Sequence, residues 1–474
     1  MSAPATAAVA TPVTARKWGW LAAATLTGIA VALAPTPSGL STTGQTVLAI
    51  MLFMVVIWAT QVIQNGLAAI LMMGLLVLAG VKPASALNGF SGSSLWLVLC
   101  VLFYGLAMQR TGIAQRVAYY LLSLFPLTYP GILTAFFAIG VALSVGIPSM
   151  TVRTAIMVPI AWALVRSLGL APRSRGSALI MITTVEMAVI PGCALIYGSL
   201  YGPVVLSIFQ SKHLPISWGG YAAVFLVPTM LLCILVILAN MIVLRPEAPL
   251  KAPVGLVRDK LQAMGSIKRD ELLTAGVVLG SMLLWATDKF HHQPAFLIGI
   301  LGLLVLSLTG VLHDSDIQSG ISWNLVLFLG GVFGLANVIQ EQKIPEWLAA
   351  YLIPIAKNLT ASPLLVLLAI SLGMFAVKFL DPSGFVAIPV MFLPIVDIAG
   401  ASGLPPLITM AAVVLAAMPF WLSYQNIWIA MCEGMTADDA FTSGQRLRLA
   451  GVYAVAVLVV VALSLGYWRA AGLT

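Results

Sequence analysis

Charge is what this sequence has least of. Only 8% of its 474 residues are Asp, Glu, Lys or Arg, against about 25% in a soluble domain. With 61% hydrophobic residues and a mean hydropathy of +1.06, the chain cannot cover itself in water, so a soluble fold is excluded. Cysteine is nearly as scarce. Cys100, Cys193, Cys233 and Cys432 lie inside apolar runs, at spacings that form no metal motif, and such single thiols read as packing residues. The four histidines (His213, His291, His292, His313) stand near predicted loop ends, and the adjacent pair lacks a third ligand. Paired Asp-rich motifs, a Ser with a buried His partner and a His/Glu metal motif are all missing, so the chain is read as not an enzyme and as carrying no cofactor beyond a coupling ion.

What is there is length without charge. A bilayer crossing needs roughly 20 apolar residues, and such runs fall at 18–34, 45–60, 63–81, 95–109, 177–200, 217–244, 272–288, 294–312, 323–340, 406–431 and 449–468. Segments 131–170 and 363–400 are also apolar but break at Pro148–Ser149 and Pro382–Ser383. Their arms are short and closely joined, which fits re-entrant hairpins. The fold class expected is an all-α polytopic membrane protein, with about eleven transmembrane helices and two hairpins.

The net charge of +8 points to orientation rather than to nucleic acid, because the basic residues sit in short loops. With the N-terminus in the cytoplasm, fifteen of the 23 Lys and Arg fall inside and six outside, while Arg153 and Lys378 fall at the hairpins. The expected setting is a bacterial inner membrane, N-terminus cytoplasmic and C-terminus periplasmic. Residues 1–15 read as a short disordered tail, 16–44 as a first helix and linker, 45–244 as one repeat and 245–271 as a basic cytoplasmic loop. A second repeat follows at 272–468, then a short tail at 469–474.

The repeats rest on likeness between WLVLCVLFYGLAMQRTGIAQRVAYYLL (96–122) and WNLVLFLGGVFGLANVIQEQKIPEWLAAYLI (323–353). Each is followed by a Pro-Ser hairpin and a long broken helix, and five crossings separate the copies, so the second is inverted. Inverted repeats with paired broken helices point to a secondary transporter whose site lies where the repeats meet. A channel would instead need a continuous polar pore.

Backbone leaves helical geometry in a bilayer only where protein or a water-filled cavity satisfies it. Four breaks qualify: the two hairpin tips, VIPGCALIYGSLYGP (189–203) and AMPFWLSYQN (417–426). At a tip, the second arm begins with unpartnered N–H groups and a positive dipole end. Ser149 and Thr151 there can cap the helix and still offer hydroxyls to a carboxylate or sulfate. Arg153, four residues on, can hold such an anion bidentately, and Met150 and Phe385 line the tips. Lys378 and Asp381 flank the second tip, and Glu186 precedes the third break. Charges at membrane depth default to functional hypotheses, so these three are candidate coupling residues.

TAIMVPIAWAL after Ser149-Met150-Thr151 resembles the first signature hairpin of the divalent anion:sodium symporters, which carry dicarboxylates, citrate and sulfate. That family has a Ser-Asn-Thr triplet ten residues before a proline, and Ser149 stands ten before Pro159. The resemblance covers nearly the whole chain. It implies a homodimer, a scaffold domain and an elevator-type transport domain, a C4-dicarboxylate-like substrate, and sodium sites that include Ser149 and Ser383. Substrate contacts are expected from Ser149, Met150, Thr151, Arg153, Ser199, Ser383, Gly384, Phe385, Ser423 and Asn426. The triplets depart from the pattern: Ser149-Met150-Thr151 has lost the Asn, and Ser383-Gly384-Phe385 both Asn and Thr. Losing amide carbonyls removes sodium ligands, which makes proton coupling or exchange, and sulfate or a sulfonate as cargo, the alternative reading.

Overall fold

The computed structural model of the protein describes residues 15–60, 62–147, 149–250, 256–355, 362–379, 388, 395–396, 399–400 and 402–474. Among them the secondary structure is helical throughout, as a bilayer demands of backbone that has no water to bond. The first half runs through α1 (Ala15–Leu33), α2 (Thr42–Thr60), α3 (Asn65–Leu78), the single turns α4 (Pro83–Ala86) and α5 (Asn88–Ser91), α6 (Ser93–Thr111) and α7 (Ile113–Ser123). The first hairpin is α8 (Tyr129–Gly146) and α9 (Met150–Ser167). It is followed by α10 (Arg175–Val189), a 3-10 turn (Ile190–Ala194), α11 (Tyr201–Ser211) and α12 (Trp218–Val243).

The second half begins with α13 (Leu256–Ala263), α14 (Arg269–Ala286), α15 (Asp288–His291), α16 (Ala295–Leu308), α17 (Asp314–Ser319), α18 (Trp323–Glu341) and α19 (Ile344–Ile355). It closes with α20 (Pro363–Val377), α21 (Pro406–Leu415), a 3-10 turn (Ser423–Gln425), α22 (Ile427–Met435) and α23 (Ser443–Ala470). Among the described residues, six helices are each long and apolar enough to cross a membrane. All the runs expected to cross fall on helices; those holding Pro191 and Pro419 are broken, while α12 runs unbroken through Pro228.

Packing partners exchange between the halves. α3 lies along α18 as α16 lies along α6, and α10 touches α23 as α21 touches α12. At the centre is α10, buried at every position from Gly176 to Val189. It is apolar all round, as an interior helix must be, except for Ser177, Thr183, Thr184 and Glu186.

Two boundaries differ from the sequence reading. The run at 177–200 continues past its break as α11, whose Tyr201-Gly202-Pro203 start supplies a proline in the first turn, where its missing N–H costs nothing. The basic loop also contains α13, which packs on α7. Arg116 explains why: its guanidinium pairs with Glu271 at 2.6 Å and donates to the carbonyls of Met264, Gly265 and Ser266 at 2.8–3.2 Å. A residue expected only to orient the chain therefore also fastens the loop.

Candidate functional site

α8 ends at Gly146 and α9 starts at Met150, so the first hairpin turns within three residues; Pro148 lies outside the described residues. Ser149 is the N-cap of α9, its Oγ accepting from the Val152 N–H at 3.3 Å. Met150 is fully buried, while Thr151 is exposed beside it. A matching cap stands across the gap. The side-chain oxygen of Asn426 accepts from the N–H groups of Trp428 and Ile429 at 3.1 Å each, starting α22, and its amide reaches back to the Met418 carbonyl at 3.3 Å. Trp428 Nε1 donates to Thr151 Oγ1 at 3.3 Å. The first turns of α9 and α22 are thus in contact, and two positive helix ends converge on one place. That is an arrangement for an anion.

Behind the tip, Arg153 is fully buried. Its Nε donates to the Ala188 carbonyl at 2.6 Å, and Nη1 to those of Ile147 (2.5 Å) and Gly198 (2.6 Å). Nη2 reaches Val189 at 3.4 Å. Carbonyls released where α10 breaks therefore find their donors on the hairpin. Glycine makes the approach achievable: a Cβ on Gly192 would sit 2.1 Å from the Gly198 carbonyl oxygen and 2.4 Å from Arg153 Nη2. One on Gly202 would sit 1.7 Å from the Ile196 carbonyl oxygen. Ser199, in the same break, is fully buried.

In the second break, Ser423 Oγ and the Glu433 carboxylate both receive the Arg446 guanidinium. Arg446, assigned from its loop position to membrane orientation, is 8% exposed and reaches Ser423 from the first turn of α23. It is a residue that sequence reasoning missed. So are Trp428, one of many aromatics at helical spacing, and Asn240, a lone amide in an apolar 26-residue helix. Asn240 had a readable signal, because an amide in such a run needs a partner.

That partner is Glu186, which is 4% exposed. Asn240 Nδ2 donates to Glu186 Oε2 at 2.6 Å and to Thr183 Oγ1 at 3.0 Å. Glu186 Oε1 and Asn240 Oδ1 have no partner among the described residues. Burying an ionised carboxylate costs several kcal/mol, more than the roughly 1.5–3 kcal/mol that one hydrogen bond to a charged group returns. Glu186 lines a cavity of ≈ 10 Å³ together with Val189, Met418, Asn426, Ile429 and Tyr453, on the order of one water. The cavity joins the breaks of both interrupted helices.

The structure therefore brings Ser149, Met150, Thr151 and Asn426 together, sets Arg153 and Ser199 behind them, and puts Glu186 at the cavity. Ser423 stands apart, on Arg446. Lys378 is buried just past the end of α20. Asp381, Ser383, Gly384 and Phe385, expected at the second tip, lie outside the described residues.

A family model described as the sodium:sulfate symporter transmembrane region matches residues 15–471. A dicarboxylate transporter 1 of the Spinacia oleracea chloroplast is 26% identical over 406 residues, covering 84% of this chain and 71% of its own. A protein of Cupriavidus necator described as a membrane protein is 27% identical, over 82% of this chain and 80% of its own. An L-tartrate/succinate antiporter of Escherichia coli is 26% identical, over 62% and 61%. The crystal structure of the Alcanivorax borkumensis YdaH transporter, at 12% identity, shares the fold with a TM-score of 0.58 over 96% of this chain and 97% of that one.

Proposed function

The chain belongs to the sodium:sulfate symporter family, and from that premise we propose that it carries small dicarboxylates across a membrane without sodium, chiefly by exchange. The dicarboxylate and tartrate/succinate names of its relatives support the substrate class. So do the converging first turns of α9 and α22, which offer Ser149 and Thr151 hydroxyls and helix N–H groups to one carboxylate.

The observation that carries the reading is Arg153. Hard cations take carbonyl oxygens, and four of them, from Ile147, Ala188, Val189 and Gly198, converge behind the tip on the guanidinium. A sodium ion would have to displace that side chain to use them. A fixed cation does the electrostatic work of a bound one but cannot leave with the substrate. Without substrate, and with Glu186 neutral, no anion offsets it, and a charge at membrane depth costs at least about 2.5–3.5 kcal/mol. The empty carrier is therefore slow to return, and exchange is favoured over net uptake. In this reading the chain is a homodimer in a bacterial inner membrane, moving its site by an elevator-type shift.

Labelled succinate in proteoliposomes tests it. Uptake should be saturable, indifferent to a sodium gradient at matched pH and voltage, and stimulated by unlabelled succinate inside. Uptake that needs sodium would overturn the exchange mechanism. Sulfate moving where succinate does not would overturn the substrate.

A further inference from the structure

A carrier with a fixed, buried Arg153 has a difficulty on its empty return, and the structure holds a group that answers it. Glu186 stands two residues before Ala188, whose carbonyl Arg153 holds, and it lines the cavity between the two broken helices. One of its oxygens lacks a partner among the described residues, as does the carbonyl oxygen of Asn240 beside it. Among the described residues, no Arg, Lys or His forms an ion pair with it.

The helices packed on α10 bring few buried titratable groups. α9 contributes Arg153, committed to carbonyls, and the exposed Arg166. The 3-10 turn contributes Cys193, α12 Cys233 and Tyr221, which donates to the Cys193 carbonyl, and α8 Tyr129 at its far end. From α22 come Cys432 and Glu433, and from α23 come Tyr453, bonded to the Leu415 carbonyl, and Arg446, paired with Glu433. The rest of α23 adds Tyr467, bonded to the Ala223 carbonyl, and the exposed Arg448 and Arg469. Glu186 is thus a buried acid without a counter-cation, on a helix that ends at the site.

We propose that Glu186 is a proton site that permits net, proton-coupled uptake alongside exchange. The inference rests on the transport reading above. With the dianion bound, Glu186 is a neutral acid: Oε1 keeps the proton and Oε2 accepts from Asn240. When the cavity opens on release of the anion, the Oε1–H bond breaks and the proton passes to entering water as hydronium. The carboxylate left behind offsets Arg153, and the empty carrier can return. One proton then accompanies each anion. Exchange needs no such step, because the site crosses loaded in both directions.

The experiment uses purified full-length protein in sodium-free proteoliposomes at clamped voltage, with no internal substrate and a trapped pH dye. Acidifying the outside should drive labelled succinate in, with proton entry on the dye. Glu186→Gln should weaken the response of net uptake to the pH gradient by at least about fivefold, and Glu186→Asp should retain part of it. Equal responses in wild type and Glu186→Gln, or succinate entering without protons, would overturn the proton site while leaving exchange intact. Should no dicarboxylate move by either protocol, the transport reading falls. The proton site is then judged by infrared difference spectra of wild type against Glu186→Gln: a protonated-carboxyl carbonyl band at neutral pH is expected, and its absence overturns the assignment.

Discussion

Arg153 Nη1 donates to the Gly198 carbonyl at 2.6 Å, so the hairpin tip is tied to the break of the helix behind it. Neither element is complete alone. The hairpin supplies a buried cation that needs oxygens, and the broken helix supplies carbonyls that need donors.

That tie sets the first expectation. Replacing Arg153 with Met keeps the bulk and removes every donor, leaving carbonyls of Ile147, Ala188 and Gly198 buried and unpaired. Each unpaired group costs about 1–3 kcal/mol, so the variant should lose about 3–5 kcal/mol of stability, the range for breaking a buried charged partnership. Arg153→Lys, with one compact head in place of a fork, should fall between. Thermal unfolding in detergent decides, and an unshifted Arg153→Met transition would mean the carbonyls find other donors.

Glycine at the break provides the second. Gly192→Ala pushes a methyl into the Gly198 carbonyl oxygen and the guanidinium, and Gly202→Ala pushes one into the Ile196 carbonyl oxygen. Both obstacles include backbone, so relief must come from moving the break itself. Overpacking costs about 1–3 kcal/mol, and succinate transport should fall with it. Gly219→Ala meets nothing within 4 Å and serves as the control. Equal melting temperatures for all three would show that the break is looser than its geometry.

How much of this was legible in the sequence follows from what kind of signal each part leaves. The helices were legible because length and hydropathy are local properties, and the first hairpin because Pro148 and Ser149 interrupt an apolar run. Ser149 as a cap was legible from its place before MTVRTAIM. The partner of Arg153 was not: carbonyl oxygens carry no residue identity, and those it uses stand up to 45 positions away. Trp428 looked like any aromatic in an apolar stretch, because only the fold brings it 277 positions across to Thr151. Arg446 was read by its loop position, which reports charge bias and says nothing of burial.

Trp428 and Thr151 give a third expectation, on binding rather than stability. Trp428→Phe removes the indole donor and keeps a ring. Thr151→Val removes the acceptor and keeps the shape. Each should raise the KM for succinate severalfold, since the bond is worth roughly 0.5–1.5 kcal/mol, with little change in melting temperature. The double variant should be little worse than either single one, because both lose the same bond. Fully additive effects would show that the two side chains act separately, and that the contact between α9 and α22 does not shape the site.

Arg446 and Glu433 allow the sharpest test of the second break. Their side chains are 9% and 17% exposed, so the pair belongs with buried ion pairs rather than with surface ones. Removing one partner of such a pair leaves an uncompensated charge and costs about 3–5 kcal/mol, whereas replacing both with apolar residues is often neutral. Arg446→Met and Glu433→Leu should each lower the unfolding temperature strongly, and the double variant should regain most of the loss. Ser423 makes the result informative about transport, because its hydroxyl accepts from the same nitrogen of Arg446. If the pair only holds α22 against α23, the double variant should transport succinate with nearly normal KM. If Arg446 instead positions Ser423 for the substrate, the refolded double variant should remain poor in KM, and Ser423→Ala in the wild-type background should reproduce that loss without the drop in stability.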